Sequence, residues 1–376
     1  MENRKIWLSS PHMGENEFKY ITEAFDLNWI APVGPHLDKF EEKLSEISEG
    51  KYVAAVSSGT SAIHLSLILL GVKNGDEVIC SSFTFSASAN PIVYQGANPI
   101  FVDSELDTWN MNPEFLELAI KDRIKKGKKP KAIILVHLYG MPAKMNEILE
   151  IANKYDIPII EDAAEALGST YFGKPLGCLS DFGVYSFNGN KIITTSGGGA
   201  LVSGNSEMIN KAKFLATQAR DDAPHYEHTH IGYNYRLSNV SASIGLGQLE
   251  VLKDRVNKRR DIFNFYKTSL STMKEISFLE EIEGCYSNRW LTTILISEDS
   301  RISNNKLRLF LESDNIESRP LWKPMHMQPI FKQYPYYGGT NSEYLFKYGL
   351  CLPSGSNLSS EDLSRIINKI KQAFEK

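Results

Sequence analysis

The sequence predicts an α/β protein in which a large domain with a mostly parallel sheet is followed by a smaller α+β domain. Two observations lead to this prediction. Up to about residue 205, short segments that are apolar at every position alternate with helical segments, as in sheets covered by helices on both faces. Beyond that point the chain is rich in helices. We therefore place a large domain at residues 1–255, including an N-terminal arm, and a small domain at residues 256–376.

The large domain is predicted to begin with two amphipathic helices, at 14–27 and 35–47. A strand, a helix closed by glycine and four further strands follow, with a helix between the last two strands. Two more strands flank a turn that carries a lysine. In chain order these later elements are expected at 52–56, 61–71, 77–80, 99–103, 131–137, 145–155, 157–162, 183–187 and 199–203.

The rest of the chain is predicted to form the connection and the small domain. Residues 240–265 contain no proline and are expected to form one long helix that ends the large domain. An alternating pattern predicts a strand at 289–296, and helices are expected at 306–313 and 361–374. The last of these is amphipathic.

Composition excludes several classes of function. A net charge of −4 over 376 residues provides no broad basic surface, so we expect no nucleic-acid partner. The four cysteines and eight histidines form neither CxxC nor HExxH, and the segment HYEHTH, with His225, His228 and His230, has no ligand spacing of that kind. We expect no metal site there, but a loop near a subunit interface. No apolar run approaches the roughly 18 residues of a membrane span, and the start lacks a signal-peptide core. A cytoplasmic protein is expected.

Lys191 stands on a turn between an apolar strand and the glycine run 197–199. Two interpretations apply to an amine in such a place. It is either an ordinary solvated lysine or a nucleophile held in a site, where it attacks a carbonyl group. The segments that end near the same sheet edge decide between them.

A phosphate site is predicted where Ser57-Ser58-Gly59-Thr60-Ser61 follows a strand and opens a helix. Free backbone N–H groups and hydroxyls at a helix start bind anions, although the same residues also serve as a plain N-cap. Ser186, at the end of another strand, offers a second hydroxyl.

Two other strand ends add an acid and an aromatic ring. Asp162 stands where ligands gather in open α/β sheets and could keep a ring nitrogen protonated, although it could also cap the next helix. Phe85 could stack on a planar ligand, although such rings are more often core. A phosphate site, an acid, a ring and an amine together predict a site for pyridoxal 5'-phosphate (PLP), with Lys191 and Asp162 as its catalytic residues.

Long phrases of the sequence resemble one family over almost the whole chain. They include IAPVGP, SSFTFSASANP, IEDAAEALGS, GVYSFNGNKIITTSGGGA, GYNYRLSNVSASIG and SRPLWKPMH. These phrases are similar to those of the DegT/DnrJ/EryC1/StrS aminotransferases, and within them to the branch of UDP-N-acetylbacillosamine biosynthesis. TTSGGG departs from the commoner Gly-Glu-Gly-Gly as that branch does. The resemblance implies an aspartate-aminotransferase fold (fold type I) and a homodimer with active sites at the subunit interface.

The resemblance also implies roles for individual residues around PLP. Lys191 matches the lysine that joins the cofactor, Asp162 the acid that pairs with the pyridine nitrogen, and Glu165 a position beside the phenolic oxygen. Phe85 matches the ring that stacks on the cofactor. The phosphate cradle and its neighbours are expected to comprise Ser58, Gly59, Thr60, Ser186, Asn188 and Asn234 of the partner subunit.

The substrates implied are L-glutamate as amino donor and a UDP-linked 4-keto-6-deoxy-N-acetylhexosamine, aminated at C4. Histidine at position 191 would have indicated the dehydratase branch, whereas lysine favours transamination. A dTDP- or GDP-linked sugar, or amination at C3, stays open as an alternative, as do a non-catalytic PLP-binding sensor and a cofactor-free Schiff-base lyase. Charge and the family pattern suggest six substrate contacts, namely Trp29, Arg236, Arg289, Arg319, Lys323 and His326.

Overall fold

The computed structural model describes residues 4–375. Its first part alternates strands and helices as far as residue 216 and then continues into two consecutive helices. The helices of this part are α1 (Glu17–Asp26), α2 (Pro35–Ile47), α3 (Gly59–Leu69), α4 (Asn90–Tyr94), α5 (Pro113–Lys125), α6 (Met145–Tyr155), α7 (Ser206–Ala216), α8 (Asn239–Glu250) and α9 (Leu252–Ser269). Its strands are β1 (Tyr52–Val56), β2 (Glu77–Ser81), β3 (Asn98–Val102), β4 (Ala132–Val136), β5 (Ile159–Asp162), β6 (Thr170–Tyr171), β7 (Lys174–Pro175), β8 (Phe182–Ser186) and β9 (Gly199–Ser203).

The second part is smaller and mixes short strands with three helices. Its strands are β10 (Ile276–Phe278), β11 (Cys285–Tyr286), β12 (Thr292–Ile296), β13 (Arg319–Pro320), β14 (Tyr336–Tyr337) and β15 (Gly349–Leu352). Its helices are α10 (Asn304–Glu312), α11 (Asn341–Tyr348) and α12 (Ser360–Glu375). Four of these strands form an antiparallel sheet in the order β10-β12-β15-β13.

An eight-stranded sheet organises the large unit, in the order β1-β9-β8-β5-β4-β2-β3-β14. All its pairings are parallel except those that β9 makes with β1 and β8. One face is covered by α2, α5, α6 and α8, and the other by α3, α4 and α7. Because β1, β2, β5 and β8 run in the same direction, the segments that follow them emerge at one edge.

Two segments of the chain pack in the unit other than the one that their place in the sequence suggests. Ile6 of the N-terminal arm pairs with Ile316 and belongs to the apolar core of the small unit. Conversely, β14 adds a last parallel strand to the large sheet beside β3. The arm and β14 therefore connect the two units.

The prediction of a single helix at 240–265 is wrong. At Val251 the backbone leaves the helical region, with φ −106° and ψ 6°, and divides the segment into α8 and α9. The break lets α8 pack on α1 and α2, while the end of α9 enters the core of the small unit through Ile262 and Tyr266. Within residues 4–375, no helix has both the length and the apolar character that crossing a membrane requires.

Candidate active site

A cavity of about 340 Å³ lies at the edge where β1, β2, β5 and β8 end. Four separate segments of the chain meet there because the parallel strands deliver them to one side of the sheet. Nine of the predicted cofactor residues line this cavity, namely Ser58, Gly59, Thr60, Phe85, Asp162, Glu165, Ser186, Asn188 and Lys191.

One end of the cavity is formed by the start of α3. Ser58 caps the helix, because its Oγ accepts a hydrogen bond from the Ser61 N–H at 3.0 Å, and the first turn contains no acidic residue. A Cβ at Gly59 would lie 3.3 Å from the Cβ of Ser186, so glycine is what lets the helix start approach the end of β8 closely. Backbone N–H groups and hydroxyls at this end suit an anion such as a phosphate.

Asp162 provides a buried carboxylate at the end of β5. Its Oδ2 accepts from Ser88 Oγ at 2.6 Å and its Oδ1 from the Ala164 N–H at 3.2 Å. A carboxylate can accept about four hydrogen bonds, so acceptor capacity remains on the side that faces the cavity. This group suits a protonated ring nitrogen.

Lys191 reaches into the cavity with only 12% of its side chain exposed. Its Nζ lies 3.5 Å from Glu165 Oε1 and 4.2 Å from the centroid of the Trp290 ring. Glu165 is itself held by the Tyr139 N–H, which donates to Oε2 at 2.7 Å. Burial raises the pKa of Glu165, while the charge of Lys191 acts in the opposite direction.

Aromatic rings close the open side of the cavity. Phe85 is 51% exposed, which is unusual for a ring inside a fold, and its centroid lies 5.1 Å from that of Trp322. Trp322 and Trp290 stack on the two sides of Tyr139. Tyr139, Trp290, Trp322 and Ser88 were not among the residues predicted from the sequence. In the segments that contain Trp290 and Trp322, only the charged neighbours Arg289 and Lys323 were predicted to contact substrate.

A second cavity of about 570 Å³ adjoins the first and shares Thr84, Phe85, Asn190, Trp290 and Trp322 with it. Two of the six predicted substrate residues, Arg319 and Lys323, line this second cavity. It therefore combines cationic side chains with aromatic surface next to the cavity that Lys191 lines.

Two of the predicted substrate residues have partners within the chain and line neither cavity. Arg236 forms a buried ion pair with Glu41 and donates to the Ala55 carbonyl at 2.9 Å. Arg289 is buried, donates to the Leu279 carbonyl at 2.6 Å and lies over the ring of Phe263. Their substrate roles stay a prediction.

Three further predicted residues lie outside both cavities. His326 stacks on Tyr336 and contacts Ser82 through Nδ1 at 2.7 Å. Trp29 and Asn234 are exposed and are not among the residues that line either cavity. In the part of the chain that the structure describes, no group of three or more His, Cys, Asp and Glu residues could hold a metal ion.

The residues of the first cavity fit PLP by the chemistry of their groups. The helix start and hydroxyls suit its phosphate, Asp162 its ring nitrogen, Phe85 its ring face and Lys191 its aldehyde. The absence of a side chain at Gly59 leaves the helix start close to Ser186, so that backbone and hydroxyl groups meet at the anion end.

Comparison with known proteins agrees with this chemistry. Residues 11–371 match the model of the DegT/DnrJ/EryC1/StrS aminotransferase family. EpsN of Bacillus subtilis (strain 168) is 52% identical, with 99% of this chain and 96% of that one covered. GDP-perosamine synthase of Escherichia coli O157:H7 is 37% identical, with 97% of each chain covered. The PLP form of Spr1654 from Streptococcus pneumoniae superimposes with a TM-score of 0.91 at 28% identity, over 99% of this chain and 98% of that one.

These matches confirm the predicted fold and cofactor. Site geometry, fold and family agree, and the chain belongs to the DegT/DnrJ/EryC1/StrS family as a PLP-dependent sugar aminotransferase.

Proposed function

We propose that this aminotransferase moves an amino group from L-glutamate to C4 of a UDP-linked 4-keto-6-deoxy-N-acetylhexosamine. The observation that carries the proposal is the second cavity, which adjoins the cavity of Lys191 and is lined by Arg319, Lys323 and Trp322. Cationic groups suit a diphosphate and aromatic surface suits a sugar or base. The choice of UDP and of C4 rests on the resemblance of the sequence phrases to the bacillosamine branch.

The side chains of the first cavity are proposed to divide the chemistry among them. When bound, PLP supplies an aldehyde that joins amines and a ring that takes up electrons. Asp162 holds the proton of the ring nitrogen in a buried, hydrogen-bonded position. Lys191 Nζ accepts a proton from the substrate carbon and returns it, because it is the amine that reaches into the cavity. Glutamate leaves as its 2-keto acid, and the C4 ketone of the sugar becomes an amine.

We further propose a homodimer in which Asn234 of the partner subunit completes the phosphate end, and a cytoplasmic location. The exposed position of Asn234 is compatible with a contact to another subunit. The four free cysteines support a reducing compartment.

A second candidate substrate is a GDP-linked 4-keto sugar. The similarity to GDP-perosamine synthase favours it, because the match covers nearly the whole of both chains. The two candidates share the chemistry at C4 and differ in the base, which must fit the second cavity.

The test combines turnover with location of the cofactor. Purified protein is assayed with glutamate against UDP-, GDP- and dTDP-linked 4-keto sugars, and a sample is reduced with borohydride, digested and analysed by mass spectrometry. We expect the UDP sugar to give the highest kcat/KM, the cofactor to be fixed on Lys191, and Lys191→Ala to lose at least about 10³-fold in turnover. Preference for GDP would replace the substrate but keep the chemistry. A cofactor fixed on another residue would overturn the proposal.

A further inference from the structure

Arg259 of α9 is a buried cation near the loop that carries Lys191. It is 1% exposed, and among residues 4–375 no carboxylate forms an ion pair with it. Burial lowers the pKa of Arg259 to about 9, so the group stays charged at neutral pH. An unpaired buried charge is costly, and only hydrogen bonds can offset that cost here.

Arg259 is linked through two hydrogen-bonding partners to one backbone carbonyl group, that of Asn190. Its Nη1 donates to the Trp290 carbonyl, and its Nη2 donates to Ser9 Oγ at 2.9 Å. Both of these residues in turn donate to the carbonyl oxygen of Asn190, Ser9 Oγ at 2.8 Å and Trp290 Nε1 at 2.7 Å. The four residues Arg259, Ser9, Asn190 and Trp290 therefore form a closed ring of hydrogen bonds, the Arg259 ring.

The Asn190 carbonyl belongs to the peptide bond that precedes Lys191. Fixing this peptide group fixes the start of the lysine side chain, while the indole of Trp290 lies 4.2 Å from Nζ at its other end. The segment from Asn188 to Gly198 contains neither helix nor strand. Its position depends on a few backbone hydrogen bonds, such as those from the Lys191 N–H to the Asn188 carbonyl and from the Thr195 N–H to the Phe187 carbonyl, and on side-chain contacts such as those of the Arg259 ring.

The members of the ring come from four distant parts of the chain. They are the N-terminal arm, the loop after β8, α9 and the segment before β12. One guanidinium group thus connects both units to the peptide group of the lysine loop. Arg255, one turn earlier on α9, also holds the arm, but its hydrogen bonds go to the carbonyls of His12 and Met13 and not to members of the ring.

We propose that Arg259 is a positioning residue, which orients Lys191 through Ser9, Trp290 and the Asn190 carbonyl. The inference rests on the proposed function, in which Lys191 is the reacting amine. A displacement of about 1 Å in a reacting group can cost about 100-fold in rate, so loosening the ring should act on kcat more than on KM.

The test uses full-length protein and variants that open the ring at different points. Ser9→Ala/Trp290→Phe removes both donors to the Asn190 carbonyl but keeps an aromatic ring beside Lys191, and Arg259→Lys keeps the charge but not the fork of donors. Arg255→Met is the matched control. Hydrogen–deuterium exchange of the peptide covering residues 188–196 is measured together with kcat and KM for both substrates.

We expect the double variant and Arg259→Lys to raise loop exchange about tenfold and to lower kcat about 10- to 100-fold, with each KM changed less than about threefold. Arg255→Met should leave loop exchange and kcat near those of the wild type. Unchanged exchange in the double variant would overturn the proposal even if Arg259→Lys fails to fold, as would an equal loosening by Arg255→Met. The exchange readout does not depend on which amine reacts, whereas a cofactor fixed elsewhere than Lys191 would overturn the proposed function.

Discussion

Glu165 is a buried carboxyl group whose pKa reflects burial first and its contacts with Lys191 and Tyr139 second. Burial raises its pKa above the ordinary value, and the ammonium of Lys191 and the Tyr139 N–H offset only part of this effect. The charged form is therefore disfavoured in the folded protein relative to the unfolded chain. A site that keeps such a group gives up stability at neutral pH, which is common where function requires it.

Replacing Glu165 by glutamine should remove this loss of stability and change the pH dependence of unfolding. Because the folded pKa of Glu165 is raised, its stabilising contribution is fully present below the unfolded pKa of about 4.3 and is lost as the pH rises through the folded pKa. At pH 7 the free energy of unfolding of Glu165→Gln should thus exceed that of the wild type by about 0.5–2 kcal/mol. Near pH 4 the two free energies should be equal.

The measurement is urea unfolding of cofactor-free protein between pH 4 and pH 8. Glu15→Gln, at an exposed position, is the control and should change little at any pH. A stability difference for Glu165→Gln that is constant with pH, or larger in acid, would contradict the assignment of Glu165 as the disfavoured charge.

Polar residues that follow predicted strands were found in the cavity, whereas charged residues chosen elsewhere in the chain were not always found there. Asp162, Ser186 and Lys191 follow apolar strands, and parallel strands bring their ends together whatever the details of packing. Arg236 and Arg289 were predicted from charge and the family pattern, and neither shows whether a guanidinium group is free. Their partners, Glu41 and the Leu279 carbonyl, are remote in the chain or not visible as side chains.

At the scale of elements, the approach of β9 to the start of α3 shapes the anion end of the site. Gly199, the first residue of β9, lies opposite both Val56 of β1 and Ser186 of β8 in the sheet register. A Cβ at this position would lie 2.4 Å from the backbone carbon of Ser58 and the nitrogen of Gly59. Glycine is therefore required for β9 to lie under the peptide groups that face the anion.

Gly199→Ala should move the Ser58–Gly59 peptide group and weaken the anion end. Overpacking of this kind costs about 1–3 kcal/mol in stability, and we expect cofactor retention to fall about tenfold. Unfolding and equilibrium dialysis of the cofactor measure the two effects. Gly204→Ala is the matched control, because Gly204 does not line the cavity and a Cβ there would meet only the end of the Lys51 side chain, at 3.4 Å. Wild-type retention in Gly199→Ala would show that the helix start tolerates the displacement.

Long apolar elements could be predicted from the sequence, whereas elements defined by tertiary contact could not. The strand β4 is apolar at every position and β5 begins with two isoleucines, and both were expected close to their observed bounds. The two-residue strand β14 exists because Tyr336 and Tyr337 pair with β3, a contact across more than 200 residues. The break at Val251 likewise follows from the different surfaces on which α8 and α9 pack, which periodicity does not show.

For the whole molecule, an exposed apolar surface near the N-terminus indicates where a second copy would pack. Phe25, Leu27, Trp29, Ile30 and Val33 are each between 41% and 58% exposed within ten residues of chain. Exposed apolar groups concentrated in this way are typical of protein interfaces. Trp29 belongs to this surface and lines neither cavity, so the proposed substrate role of Trp29 would have to be exerted in a second copy.

The proposed homodimer predicts that charge in this surface separates the subunits and releases the cofactor together. Ile30→Asp/Val33→Asp should weaken the dimer at least about 100-fold, as expected when apolar contacts at an interface are replaced by buried charge. Asn234→Ala should leave the dimer intact but weaken cofactor retention about tenfold, because one hydrogen bond to a charged phosphate is lost. Sedimentation velocity and cofactor dialysis measure the two effects.

Leu309→Asp, on α10 of the small unit, places the same charge at another exposed apolar position and should change neither quantity. Ile30→Asp/Val33→Asp tests subunit assembly, and Asn234→Ala tests cofactor binding in the assembled protein. If the site were complete within one subunit, the separated Ile30→Asp/Val33→Asp protein would retain PLP as the wild type does, and Asn234→Ala would have no effect. Either result would remove the partner subunit from the site, whereas joint loss in the first variant and selective loss in the second would require the phosphate end to be built from two copies of this chain.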